Sequence, residues 1–408
     1  MVRYAISLVL GSTLLSTVAI GQPPPQPLPP SITGVPAPVV PVAAVSIQTP
    51  AARFQNPNAF PPETGQAVVS VQAGAEWLWR MNQSNGRFFP GLNPALRLPL
   101  ESDSDLRQAY AALALAEAAK FTGDERYAAR ATQSVLALLA LTRLEGDARV
   151  PALAADAENS VAFAALLCMA ICELPSPEAK LLGEAEALSV YLRKPPLGET
   201  EADATKVGLS LRALVATYRF KPDAAKKEAI QKCMTAGSNS FKVHRSPAVA
   251  AAMIPGIADS YAVVAKDPAV AAMAFEMADA LCADQYTRAD ARTMAWVGGF
   301  KLGTAEPGSD SIAAAGALCA AAKLTRQVPD LTRFVRYRKA AVEALAFSRS
   351  LQFSDENAEH FEKSFRARFL VGGTHLGPSD GTVRIDATGM LVSAQLAFLH
   401  SGAEARTE

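Results

Sequence analysis

The sequence predicts an all-α protein whose roughly twelve helices pair into an inner ring of six and an outer ring of six. Three observations carry this reading. Half of the 408 residues are hydrophobic but only 7% are aromatic, and the alanine-rich remainder suits close-packed helices better than a β-sandwich. The joints between helical patterns alternate between tight and long. The helices alternate in the same rhythm between apolar and charged.

The chain opens with a basic residue, Arg3, and a mostly apolar run, Ala5 to Ile20, that ends in the small-residue pattern Ala19-Ile20-Gly21. This reads as a signal peptide over residues 1–21 and implies export to the periplasm, the cell surface or the medium. The rival, a membrane anchor, needs a longer run with fewer hydroxyl residues. Residues 22–62 hold thirteen of the 28 prolines and read as an extended linker, because proline lacks the amide that helix and sheet need. Residues 63–404 then form a single helical domain, with no span expected to cross a membrane.

Helical patterns run over Gly65–Met81, Asp103–Lys120, Asp124–Leu144, Glu158–Glu173, Glu178–Arg193, Asp203–Arg219, Ala224–Thr235, Ser246–Val264, Ala269–Ala283, Ser309–Thr325, Leu331–Arg349 and Asp386–His400. The tight joints are Phe121–Asp124, Leu174–Pro177, Phe220–Asp223, Ala265–Pro268 and Gln327–Asp330. Each carries a glycine, proline or aspartate that stops one helix and starts the next, so each makes an antiparallel hairpin. The long joints, Asn82–Ser102, Glu145–Ala157, Lys194–Ala202, Ala236–Arg245, Asp284–Gly308 and Ser350–Ile385, then gather at one end. Ser160–Cys172, Ile312–Ala322 and Ala387–Leu399 carry no charge, so those helices are wrapped on most sides. Asp203–Arg219 fits the inner ring least well, because it carries Lys206 and Arg212. The first helix is outer-type and the last is inner-type, so pairing them closes the ring. An open solenoid of hairpins, the rival, would need a polar capping helix at its end.

The stretch from Trp77 to Phe88, with its Q-x-x-G-x-F turn, and the run Tyr110 to Tyr127, with A-L-A-x-x-x-x-x-T-G-D-x-x-Y, resemble segments of α/α-toroid proteins. That superfamily includes terpenoid cyclases, prenyltransferases and many (α/α)6 glycoside hydrolases and polysaccharide lyases. The resemblance implies an (α/α)6 toroid, and it bears on fold more than on activity.

The charge balance, 39 basic against 39 acidic residues, argues against a nucleic-acid partner. No phosphate loop, nucleophile elbow or H-E-x-x-H motif occurs, and neither the aspartate-rich motif of terpenoid cyclases nor the zinc ligands of prenyltransferases can be found. Cys168 and Cys172 share a helix face but read as buried hydrophobes. His360 and His375 lack a third ligand. No cofactor or metal is expected.

What remains is the long-loop end, where the positive N-termini of the inner helices meet. Acids recur at these starts: Asp103, Asp105, Asp156, Glu158, Asp203, Asp310 and Asp386. Glycosidic cleavage needs one protonated and one ionised carboxyl. Asp103, Asp105 and Asp386 are therefore the candidate catalytic acids. Arg107, Asp310 and Arg384 are candidate substrate contacts, and Phe88, Phe89, Tyr286 and Trp296 are aromatics able to stack on sugar rings. The bland alternative for the acids is helix capping. The leading expectation is a carbohydrate-active protein, hydrolase or lyase-like, acting on a polysaccharide or oligosaccharide. A non-catalytic scaffold and an isoprenoid-binding protein are the alternatives, and the residues lining the ring decide among them.

Overall fold

The computed structural model describes residues 50–54, 60–153, 157–194, 200–301 and 306–402. The signal-peptide reading, most of the linker and Asp156 lie outside the described residues.

A short 3-10 turn, Pro50–Phe54, precedes the first helix, α1 (Pro62–Met81). Phe54 is buried, with its ring 6.0 Å from Phe121, so the last part of the stretch read as linker packs against the ring. Two short strands follow, β1 (Gly91–Asn93) and β2 (Leu98–Pro99). Next come α2 (Asp105–Thr122), α3 (Glu125–Leu139), and a hairpin of β3 (Thr142–Glu145) and β4 (Ala148–Pro151). The middle of the chain is α4 (Ser160–Glu173), α5 (Ala179–Leu192), α6 (Glu201–Phe220), α7 (Ala224–His244), α8 (Pro247–Val263) and α9 (Pro268–Asp284). It ends with α10 (Asp310–Gln327), α11 (Leu331–Ser350), a single turn α12 (Lys363–Phe365), β5 (Thr374–His375), β6 (Val383–Arg384) and α13 (Ile385–Ser401).

Packing gives the expected double ring. Helices α2, α4, α6, α8, α10 and α13 each touch the next, and α13 returns to α2. Outside them α3, α5, α7, α9 and α11 each pack on the inner helix that precedes them, and α1 packs on α13. The first helix therefore closes the ring against the last. The tight joints work as their residues predict: the side chains of Asp124, Asp223, Asp267 and Asp330 each accept a first-turn amide N–H of the next helix, and Gly123 ends α2 in the left-handed region at φ 71°.

Two boundaries differ from the sequence reading. Helix α3 stops at Leu139, and Thr142–Glu145 turns back as β3 around Gly146 at φ 59°. The joint read as long at Ala236–Arg245 is helical: α7 continues to His244 and only Arg245 and Ser246 link it to α8. Gly237 lies within that stretch. In the fold a Cβ there would strike Met253, its nearest side-chain atom being 2.1 Å away, so the glycine serves close packing of α7 on α8.

The inner ring is tight where small residues meet. A Cβ at Gly208 of α6 would lie 2.6 Å from the carbonyl oxygen of Ala252 on α8. Backbone cannot yield as a flexible side chain can, so Gly208→Ala should destabilise the fold by about 2–3 kcal/mol. Urea unfolding followed by circular dichroism checks this; an unchanged midpoint would mean that the α6–α8 seam is looser than this contact implies.

Candidate functional site

At the long-loop end the first and last long loops join in one sheet, in the order β2-β1-β6-β5. Gly91 pairs with Arg384 and Leu92 with Val383. The sheet holds Arg384 just ahead of α13, where its Nε donates to Asp386 Oδ1 at 2.9 Å and its Nη2 to Oδ2. Asp386 is buried at 6% exposure. At the start of the neighbouring α2, Arg87 of the first long loop spans both candidate acids, 2.8 Å from Asp103 Oδ2 and 2.8 Å from Asp105 Oδ1. Asp103 is not the helix cap. It precedes the capping position and accepts from Gln108 Nε2 at 3.0 Å. Arg107 donates to the Ser102 carbonyl at 3.3 Å. The structure thus brings Asp103 and Asp105 together on one arginine, and sets Asp386 apart on another.

The aromatic candidates are mostly occupied in packing. Phe88 is 2% exposed, and Gln108 clamps its backbone at both its N–H and its carbonyl. Trp296 is buried beside Tyr286, ring centroids 5.4 Å apart, with the Arg292 guanidinium over it. Phe89 is half-buried against Phe369. Asp310, exposed at the first residue of α10, reaches the rim of the ring's axis. His360 stacks on Phe361, while His375 packs on Phe353 with Nδ1 2.8 Å from the Gly377 carbonyl. Among the described residues no three His, Cys, Asp or Glu side chains gather as a metal site.

Beneath the mouth the ring encloses an axial cavity of about 460 Å³. Its wall includes both Asp310 and Lys323 of α10, thirteen residues apart and so separated by about 20 Å along the helix. The cavity therefore follows the inner helices for most of their length. Leu113, Leu209, Met390 and a series of alanines make the wall largely apolar. Pro255 of α8 also lines it. A proline inside a helix has no amide for the carbonyl four residues earlier, which leaves that of Ala251, another wall residue, as an acceptor.

Three polar side chains line this apolar wall, and a fourth is bonded to one of them. Tyr110, Arg212 and Ser393 line it directly. Glu117 lies on α2 seven residues from Tyr110 and four from Leu113, and accepts a hydrogen bond from the Ser393 hydroxyl. Burial pushes the Glu117 carboxyl up to about 7, and the nearby Glu173 adds to the effect, while Ser393, Arg212 and Lys120 pull the other way. Burial also raises the Tyr110 phenol. A carboxyl raised toward neutrality and bonded to a residue of a cavity wall is suited to proton transfer. None of these four was among the site residues expected from the sequence.

No protein-family model matches the chain, and no curated protein matches it. Solved structures do share its fold. An α-1,6-mannanase from Salegentibacter sp. HEL1_6 superposes with a TM-score of 0.58 at 11% identity, covering 82% of this chain and 98% of that one. A variant of unsaturated glucuronyl hydrolase from Streptococcus agalactiae gives 0.57 at 16% identity, covering 89% and 98%. A cellobiose 2-epimerase from Bacillus thermoamylovorans B4167 gives 0.56 at 11% identity, covering 81% and 98%. At such identities the likeness defines the fold, an (α/α)6 toroid of the kind that glycosidases use.

Proposed function

We propose that this chain is a carbohydrate-active protein that takes an oligosaccharide through the long-loop mouth into the axial cavity and acts on it there by proton transfer. The observation that carries the reading is the axial cavity, a largely apolar wall that holds Tyr110, Arg212 and Ser393, with Glu117 bonded to the Ser393 hydroxyl and its carboxyl raised by burial to about 7. Its neighbours supply the usual few polar contacts of a small-ligand site: the phenol of Tyr110, the guanidinium of Arg212, the hydroxyl of Ser393 and the carbonyl of Ala251. The named activities of proteins with this fold, mannanase, glucuronyl hydrolase and epimerase, support a saccharide as the ligand. A wall bearing Tyr110, Arg212 and Ser393 suits a saccharide better than an isoprenoid.

Asp103, Asp105 and Asp386 remain candidates in this reading, as ionised groups along the approach, with Asp310 at the rim. Asp105 and Glu117 stand twelve residues apart on α2, about 18 Å, whereas the two carboxyls of a glycosidase lie within about 10 Å of each other. Asp105 therefore does not pair with Glu117 across one bond. Among the described residues no helix is long and apolar enough to cross a membrane. The apolar run Ala5–Ile20 supports export, where polysaccharide is met.

The test is a melting-temperature screen of the chain from Gln22 onward against oligosaccharides, followed by reducing-end assays on any that bind. A ligand of the native state raises the melting temperature. The expected result is a shift with a saccharide and turnover that falls at least a hundredfold in Glu117→Gln. Turnover untouched by this substitution would remove the proton-transfer role, and no shift with any saccharide would overturn the reading.

A further inference from the structure

Among the described residues Arg212 is a charged group of the cavity wall with no structural partner. It sits on α6, an inner helix, and lines the axial cavity. Its electrostatic neighbours are Tyr110 and Glu117. Among the described residues it makes no hydrogen bond and no carboxylate lies within 4 Å of it, and it does not appear among the buried unpaired donors. Its N–H groups therefore open onto the cavity.

Such an arrangement is unusual. A guanidinium taken out of bulk water is normally paired, because desolvating an uncompensated charge costs several kcal/mol. Glu117 makes no ion pair with it within 4 Å, and the charge of Arg212 only partly offsets the burial that raises the Glu117 carboxyl. The stem of Arg212 is also held in place. A Cβ at Gly256 of α8 would lie 3.3 Å from Arg212 Cγ and 2.7 Å from Leu211 Cγ, so this glycine lets α8 press flat against the arginine. The other charges on the wall are arranged differently. Asp259 and Lys323 stand 4.0 Å apart at the far end, where Arg219 also meets Asp259, and Asp310 is at the mouth.

We infer that Arg212 is the receptor for an anionic group of the ligand, so that the saccharide taken into the cavity is an acidic one. The inference rests on the reading of the cavity as a saccharide site and narrows it. The planar fork of N–H donors matches a carboxylate or a sulfate ester through two parallel hydrogen bonds. The apolar wall excludes water around the pair and strengthens it. Neutral oligosaccharides leave the guanidinium without its partner and bind less well.

Isothermal titration on the full chain tests this with three probes of similar size: a galacturonate trimer, a sulfated chondroitin disaccharide and mannotriose. The expected result is that at least one anionic probe binds, mannotriose binds more weakly, and the preferred probe weakens with added salt. Arg212→Gln then loses roughly ten- to a hundredfold in affinity for that probe while its affinity for mannotriose is little changed. Arg212→Lys, which keeps the charge but not the fork, recovers part of the loss. Melting curves of both variants establish that they fold. A preference for the galacturonate probe identifies a carboxylate; the chondroitin disaccharide carries a carboxylate and a sulfate, so a preference for it shows that the sulfate adds to binding. If mannotriose binds as well as the anionic probes, or if Arg212→Gln binds them undiminished, the anion-receptor role is overturned while the saccharide site stands. If none of the three binds, both fail together.

Discussion

At pH 8 the Glu117→Gln variant melts several degrees above the parent, and at pH 5 the two nearly coincide. The argument follows from where the carboxyl sits. In the folded chain burial raises the Glu117 carboxyl from its ordinary value of 4.5 to about 7. The folded state therefore holds a proton that the unfolded chain gives up between those two values. Stability contributed by the neutral carboxyl is lost progressively as pH rises from about 4.5, and the loss is complete above about 7. The size of the penalty is set by the shift, about 3 kcal/mol at 1.36 kcal/mol per unit. Glutamine is nearly isosteric, never ionises, and accepts from the Ser393 hydroxyl as glutamate does. It removes the high-pH penalty and changes little at low pH, where the acid is already neutral. Differential scanning calorimetry from pH 5 to 8 reads the effect. Curves that run parallel for parent and variant would mean that Glu117 titrates like an ordinary surface acid. A substitution that both stabilises the fold and abolishes turnover marks a group kept for chemistry at the expense of stability.

The ring was legible because its signals are local. Asp124, Asp223, Asp267 and Asp330 cap the next helix from within four-residue joints, and a cap needs only its own first turn. The apolar stretches of α4, α10 and α13 announced their burial in the same way. The mouth was far less legible, because its partners are distant in sequence. Arg87 takes up Asp103 and Asp105 across the first long loop, and Gly91 pairs with Arg384 from the opposite end of the domain. Strands of two or three residues leave no alternation to read.

The cavity group was visible as an irregularity. Arg212 made α6 the helix that fitted the inner ring least well, and Glu117 is the lone charge between Ala109 and Ala119. An inner helix that breaks its own apolar rule has a reason on the ring axis, and here that reason is the cavity. Attention to the helix starts instead favoured acids that the fold ties to arginines. The Trp77–Phe88 motif shows the converse. Asn82 donates to the Gly86 carbonyl and to Ser134 Oγ, and Gly86 sits at φ 82° with its Cα facing the Gln133 backbone. These residues fasten the turn after α1 to α3, which is why such a motif reports the fold and not the reaction.

Trp77→Ala should cost about 3–5 kcal/mol and release the last long loop. Trp77 is fully buried, and its indole Nε1 donates to the Phe369 carbonyl at 2.8 Å. The loop presses onto it as backbone: a Cβ at Gly373 would come 2.8 Å from Trp77 Cε2, and one at Gly372 (φ 94°) would come 2.1 Å from the Ala73 carbonyl oxygen. Arg80 and Gln352 bind the Val371 and Gly372 carbonyls alongside. One face of α1 thus anchors residues 369–373, and the chain leaves this anchor directly into β5, β6 and Arg384. Truncating the indole removes the floor under the glycines and leaves the Phe369 carbonyl unpaired. Urea unfolding measures the stability loss. Limited proteolysis reads the loop, with faster cleavage expected between residues 351 and 384. Trp77→Phe separates the two contributions, since it keeps most of the packing and loses the hydrogen bond, at about 1 kcal/mol. If Trp77→Ala is destabilised but is cut no faster, the β1–β6 and β5–β6 pairings hold the loop without α1, and the mouth keeps its shape independently of the outer ring. If cleavage accelerates, the position of the Arg384–Asp386 pair is set from the outer face of the molecule, through α1.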